Sequence, residues 1–176
     1  MREYYYLVSS LPMLEFGMKI PFPYSSFISR CEEQLEGPDL ALIKRASISA
    51  PEHCDERSGV LQQWNFFDMC LRNELTRYRS GKLSKDVSRY TRGEGFLDPF
   101  TSSFARWAVK EEAPLETELA IDRMRWLKIE EFKKGHYFDI DYLTAYALEL
   151  QILERWQRIN SANGMEVLEG LVGQKT

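Results

Sequence analysis

A chain of 176 residues with 44% hydrophobic, 28% charged and 13% aromatic residues can bury one sizeable core without covalent staples, and that balance excludes a disordered chain. Its formal charge of −4, from 23 basic and 27 acidic residues, gives no overall attraction for a phosphate backbone or an anionic lipid, so nucleic acid is not an expected partner. Cys31, Cys54 and Cys70 are odd in number, widely spaced and without a Cys-x-x-Cys pair, which argues against thiol exchange and fits a reducing cytoplasm.

The opening Tyr4 to Val8 is aromatic and β-branched and stops at Ser9-Ser10 and Pro12, so a short extended segment is expected there. An acidic Glu3 stands before it, and no later run approaches the ~18 to 20 apolar residues of a membrane span, so neither a signal peptide nor direct membrane insertion is expected. Pro21 and Pro23 keep the next stretch extended. Ser25 is then placed to cap a helix running to about Leu35, with Phe27 and Cys31 on one face, and Gly37-Pro38 ends it. A second short helix runs from Asp39 to about Ile48, followed by the polar loop PEHCDERSG.

The clearest amphipathic pattern begins after Ser58, where Leu61, Trp64, Phe67 or Asp68, Leu71, Leu75 and Tyr78 recur at steps of three and four. This predicts a long core helix to about Arg79, closed by Gly81. Lys82 to Leu97 reads as a short polar helix and a loop around Gly93 and Gly95, and the chain is either one domain over 1–176 or two lobes meeting near 81–97. Asp98-Pro99 opens a helix with Phe100, Phe104 and Trp107, stopping near Ala113. Pro114 starts another, with Glu116 and Glu118 in its first turn, and Gly135 ends it after about Lys134. Asp139 caps a last long helix, Ile140 to about Ile159, carrying two apolar stripes; Asn163-Gly164 breaks it before a short helix around Met165 to Leu171. The expected fold is therefore mainly α, an irregular helical bundle of about seven or eight helices with a short extended N-terminal segment.

Chemistry-bearing patterns are scarce. The residues three before His53 and His136 are Ala50 and Lys133, which removes the Glu-x-x-His pairs of a di-iron bundle. Two histidines and three scattered cysteines leave no metal site to expect, and His136, next to Gly135, is placed to meet the last carbonyls of a helix. Gly93-Glu94-Gly95 lacks the Gly-Lys-Ser/Thr ending of a phosphate loop, and no serine sits in a Gly-x-Ser-x-Gly elbow. Cys70 reads as a small apolar filler. No cofactor is expected.

What remains is charge beside the core: Arg72, Glu74, Glu118, Asp122, Arg125 and Glu130, with Trp126 among them. At helical spacing Glu118 faces Asp122 and Arg125, and Asp122 faces Arg125, so ion pairing along one helix surface is the expected use. Two other uses are open: acid/base chemistry from a pair drawn from Glu74, Glu118 and Asp122, or a peptide groove near Phe100, Phe104 and Trp107.

The segments YYYLVSSLP, LRNEL, PLETELAIDRMRWLKIEEF and FDIDYLTAYALELQILERW together resemble a bacterial family encoded alongside V/A-type ATPase subunits. That family is itself distantly similar to the helical, funnel-shaped C/d-type proteins that seat the central stalk of the rotary motor on its membrane ring. The resemblance implies a non-catalytic accessory or coupling role, cytoplasmic and peripheral to the membrane, with V/A-type ATPase subunits of the central stalk or membrane ring as partners. It implies no catalytic residue, cofactor or metal. Arg72, Glu74, Glu118, Arg125, Trp126 and Glu130 would then hold helices together or meet the stalk. This chain is shorter than a complete C/d-type protein and shows no triplication. The alternative function is a free-standing helical adaptor unrelated to the motor.

Overall fold

A computed structural model of the chain describes residues 3–49, 58–83, 91, 99–111 and 113–173. Among them are seven helices and no strand: α1 (Tyr5–Ser10), α2 (Tyr24–Gln34), α3 (Gly37–Arg45), α4 (Gly59–Leu83), α5 (Pro99–Lys110), α6 (Pro114–Lys133) and α7 (Ile140–Gly173). The mainly α bundle expected from periodicity is the fold found. The polar loop after Ala50, with His53 and Cys54, and the lobe boundary near 81–97 lie outside the described residues, apart from the end of α4 and Thr91.

α7 is the central helix because it is buried on every side. Each residue from Leu143 to Leu150 is buried, the pattern of a helix enclosed by neighbours rather than lying on a surface. Those neighbours are α6, α4, α2 and α3. α4 in turn packs against α5, α6 and α7, and its stripe of Leu61, Trp64, Phe67, Leu71 and Leu75 sinks into one continuous core with Phe27, Ile43, Ile129, Tyr146 and Leu148. Each fully buried leucine in that cluster contributes about 1.5–3 kcal/mol relative to an exposed one. Cys31 and Cys70 are buried, and burial pushes both thiols above their ordinary range, Cys31 to about 12. They act as small apolar fillers.

Local sequence explains most of the boundaries. α6 begins at Pro114, whose missing N–H costs nothing in a first turn, and ends before Gly135 at φ +87, the left-handed backbone that glycine adopts without strain. Asp139 closes the start of α7 by accepting the Tyr142 N–H at 2.9 Å.

Several expectations need correction. Residues 5–10 form a helix instead of an extended segment. Tyr4, Leu7, Val8 and Leu11 face inward while Tyr5 and Tyr6 are exposed, which is helical and not alternating spacing. Six residues cannot hold a helix alone; the burial of Leu7 and Val8 and the Tyr4 N–H donated to the Phe138 carbonyl hold this one. The N-cap of α2 is Pro23, with Ser25 inside the first turn, and Pro38 sits in the first turn of α3 instead of ending α2. α4 runs through Gly81, and α7 runs unbroken through Asn163-Gly164 to Gly173. A mid-helix glycine costs only about 1 kcal/mol against alanine, so a long helix with its nucleus already formed can pass one.

Candidate functional site

The helix pair α6 and α7 carries charge at positions where the neighbouring helix is close enough to answer it. Arg125, on the inner face of α6, is 7% exposed, and its guanidinium spans to α4. Its Nε and Nη2 reach Asp68 Oδ1 at 3.0 and 2.9 Å, while Nη1 reaches Asp122 Oδ1 at 2.9 Å. Asp68 and Asp122 are both fully buried. From α7, Arg155 bridges Asp122 and Glu118, the latter at 2.7 Å, and Trp156 donates its indole N–H to Asp122 at 2.9 Å. Arg72 completes the set: its Nε meets Asp68 Oδ2 at 2.5 Å and its Nη2 donates to the Ile48 carbonyl at 2.9 Å. Burial alone would lower the Arg125 pKa, but the Asp68 and Asp122 carboxylates against it raise it above its ordinary value.

The structure therefore brings together Arg72, Glu118, Asp122 and Arg125 from the sequence-predicted set. The pairing is real, but its main direction differs from the expectation: it ties α4, α6 and α7 to one another instead of running along one helix. Arg125 is the residue of that set that bridges α6 to α4, whereas Arg72 joins its own helix to the end of the segment after α3. Glu74 stands apart, paired with Arg77 at 2.6 Å. Trp126 is buried edge-on against Phe16. Glu130 belongs to a second cluster, in which Lys133 reaches Glu130 at 2.8 Å and the buried Glu149 of α7 at 2.6 Å. Burial raises the Glu149 carboxyl to about 8, with Lys133 offsetting only part of the cost. At Glu130 burial pushes the same way, but hydrogen bonding and the Lys133 and Lys134 charges outweigh it and lower the carboxyl.

Above the arginine network opens a cleft of about 1070 Å³. One wall is α4, with Met69, Arg72, Thr76 and Arg79; the other is α7, with Gln151, Glu154, Arg155, Arg158 and Ile159; Ile121 and Arg125 of α6 lie between. Five arginines and three carboxylates (Asp68, Glu118, Glu154) line it, and with Asp122 beneath Arg125 and Arg155 the cations still outnumber the anions on an otherwise acidic chain. Gln151 fastens one end by donating to the Ala46 carbonyl at 2.8 Å and accepting the Ile48 N–H at 3.2 Å.

The site also contains residues that the sequence pattern did not single out. Asp68 is an acid on the apolar stripe of α4, and a charge at a core position signals a buried partner. Arg155 follows from the same logic only once Asp122 is known to face α7. Arg79 and Arg158 carry no local signal.

A third polar group gathers His136, Asp139 and Asp141, with ligand-type atoms within 4.8 Å of one another. Its atoms have structural partners. Asp141 Oδ1 accepts the Ser58 hydroxyl at 2.5 Å and the Val60 N–H at 3.0 Å, so the start of α7 caps the start of α4. His136 Nδ1 lies 2.7 Å from Asp139 Oδ2, which corrects the expectation that its ring meets the carbonyls ending α6. Of the carboxylates considered for acid/base chemistry, Glu118 and Asp122 share the Arg155 guanidinium and Glu74 is elsewhere, so the three do not converge on one open point.

A family model described as a protein of unknown function (DUF2764) matches residues 103–175, which take in most of α5 and all of α6 and α7. No curated protein and no solved structure matches the chain. No described helix is long and apolar enough to cross a membrane.

Proposed function

We propose that this chain is a non-catalytic accessory or coupling component of a V/A-type rotary ATPase, acting through protein contacts at the central stalk or membrane ring and peripheral to the membrane on its cytoplasmic side. The observation that carries the reading is where its charges go. PLETELAIDRMRWLKIEEF and FDIDYLTAYALELQILERW, two of the segments that bear the resemblance, lie on α6 and α7, and Asp122, Arg125, Arg155, Lys133 and Glu149 are committed to holding those helices to each other and to α4. Buried ion pairs of this kind are a device for fixing how helices register on one another, which a connector between partners requires.

The outward faces complement that bracing. Leu115, Leu119 and Leu127 are exposed on α6, and Phe100 and Trp107 are exposed on the adjoining α5. Exposed apolar side chains of this size suit a contact with another protein. Affinity purification of the tagged chain from native membranes at low salt tests the proposal. Co-purification of ATPase subunits is the expected result, and their repeated absence would sink it.

The second reading, a free-standing helical adaptor, draws on the same exposed Phe100 and Trp107, which in that case would receive a peptide or helix from an unrelated protein. Purification separates the two: an adaptor would bring down a reproducible partner with no ATPase subunit among the proteins recovered.

A further inference from the structure

We infer that the cleft between α4 and α7 receives an acidic, amphipathic helix of a partner protein, through carboxylates that meet Arg79 and Arg158 and apolar side chains that cover the wall between them. The inference rests on the proposed contact role and names the chemistry of one contact.

The arginines of the cleft fall into two classes. Arg72, Arg125 and Arg155 are already engaged by Asp68, Asp122 and Glu118. Arg79 on α4 and Arg158 on α7 stand exposed on opposite walls, and among the described residues neither has an ion-pair partner. Glu154, the remaining lining carboxylate, accepts the Tyr24 backbone N–H at 3.2 Å. Two cations without an ion-pair partner thus face each other across the cleft, outnumbering Glu154, its one carboxylate without an ion pair among the described residues.

That arrangement discriminates between ligands. A small phosphorylated molecule needs several free donors converging on one point, and the donors at the base of this cleft are occupied by carboxylates. A helix needs spaced cations, an apolar strip and room. Two turns of helix, about 11 Å long and about 10 Å across, fill roughly 850 Å³, within the 1070 Å³ here. Met69 and Ile159, both half-buried, supply the apolar surface, with the buried Leu75 and Ile121 behind them. The chain's net charge of −4 repels acidic partners elsewhere, so a cationic cleft on it also gives orientation.

The test uses the full chain and a fluorescein-labelled amphipathic peptide of two heptads, with glutamates on one face and leucine and alanine on the other. A twin carries glutamine for glutamate. Fluorescence anisotropy at low salt is expected to show saturable binding of the acidic peptide, with affinity falling about tenfold or more for R79E/R158E and for the glutamine twin. The charge-matched K19E/K134E variant, altered at exposed lysines outside the cleft, is expected to bind as the parent does. Equal binding by R79E/R158E, equal binding of the twin, or an equal loss in K19E/K134E would overturn the inference. Complete displacement of the peptide by tripolyphosphate at lower concentration would overturn it in favour of a small phosphorylated ligand. Recovery of ATPase subunits separates this inference from the broader proposal. If R79E/R158E still recovers them from membranes as the parent does, the cleft is not their contact; if the parent recovers none while peptide binding holds, the ATPase reading falls and the cleft stands.

Discussion

Two charged clasps join α6 to α7, and they are built on opposite principles. Toward the N-terminal half of α6, Asp122 takes donors from Arg125, Arg155 and Trp156, and Arg125 divides its guanidinium between Asp122 and Asp68. Nearer its C-terminal end, Glu149 depends on Lys133, a single ammonium also drawn toward Glu130. A planar guanidinium satisfies two carboxylates at once in fixed geometry, whereas an ammonium is a point charge on a flexible stem. The two bases respond alike, since carboxylates outweigh burial and raise both Arg125 and Lys133; the second clasp differs at its acid, where burial prevails over the single Lys133 ammonium and raises the Glu149 carboxyl to about 8. A buried charge is secured by the number of donors that reach it more than by the presence of one counter-ion.

Removing the shared guanidinium should cost the most. Arg125→Ala leaves Asp68 and Asp122 buried with fewer donors, and truncating one member of such a network costs about 3–5 kcal/mol. For a chain of this size that lowers the melting temperature by roughly 10 °C or more, readable by circular dichroism or calorimetry. An unchanged melting temperature with lost partner recovery would instead make Arg125 a contact residue.

The second clasp is tested by pH. The folded Glu149 carboxyl, at about 8, holds a proton that the unfolded chain releases near 4.5. Between those values the native state binds more protons, so this group's contribution is complete below about pH 4.5 and is lost as pH rises through 8, at up to ~1.4 kcal/mol per pH unit. Melting temperatures measured from pH 5.5 to 7.5 should decline in the parent and decline less in Glu149→Gln, which cannot ionise. Parallel slopes would mean that Lys133 keeps Glu149 charged and that the two clasps are alike.

A smaller effect is expected where neither clasp is involved. Asp141→Ala removes the acceptor for the Ser58 hydroxyl and the Val60 N–H, a cap lent by one helix to another. Loss of a cap costs about 1–2 kcal/mol, and urea denaturation should place the change between the parent and Arg125→Ala. A loss as large as that of Arg125→Ala would show that the capping joint, not the arginine network, carries the packing of α4 on α7.

What can be read from the sequence divides along physical lines. α6 is legible to within a residue at each end because its signals are local: a proline that opens a helix and a glycine that permits positive φ. The stripe of α4 is legible because burial imposes a period. α1 is not, because aromatic and β-branched composition outweighs the spacing of Tyr4, Leu7, Val8 and Leu11, which only packing makes decisive. The same holds for the site. Spacing within α6 can pair Asp122 with Arg125, but the partners on α4 and α7, Asp68 and Arg155, are 57 and 33 residues away from Arg125 and Asp122 respectively. The acid on the α4 stripe announces a buried partner, but nothing local says which residue that partner is. Glu74 and Glu130 have the right residue type and a different neighbour.

The mildest change separates the arginines that hold the fold from those at the mouth of the cleft. Arg79 and Arg158 are exposed and lack an ion-pair partner among the described residues, so R79E/R158E removes no buried contact and strands no buried charge. Surface substitutions of this kind leave stability nearly unchanged, and the melting temperature is expected to stay within about 2 °C of the parent. Any small change should shrink with added salt, since exposed charges separated by more than about 10 Å are screened at ~0.1 M ionic strength. A drop of the size expected for Arg125→Ala would join these two arginines to the first clasp, and the cleft would then be a by-product of packing. A variant that melts with the parent but fails to bind an acidic helix would instead leave two functions for one residue type, bracing at the base of the cleft and recognition at its rim.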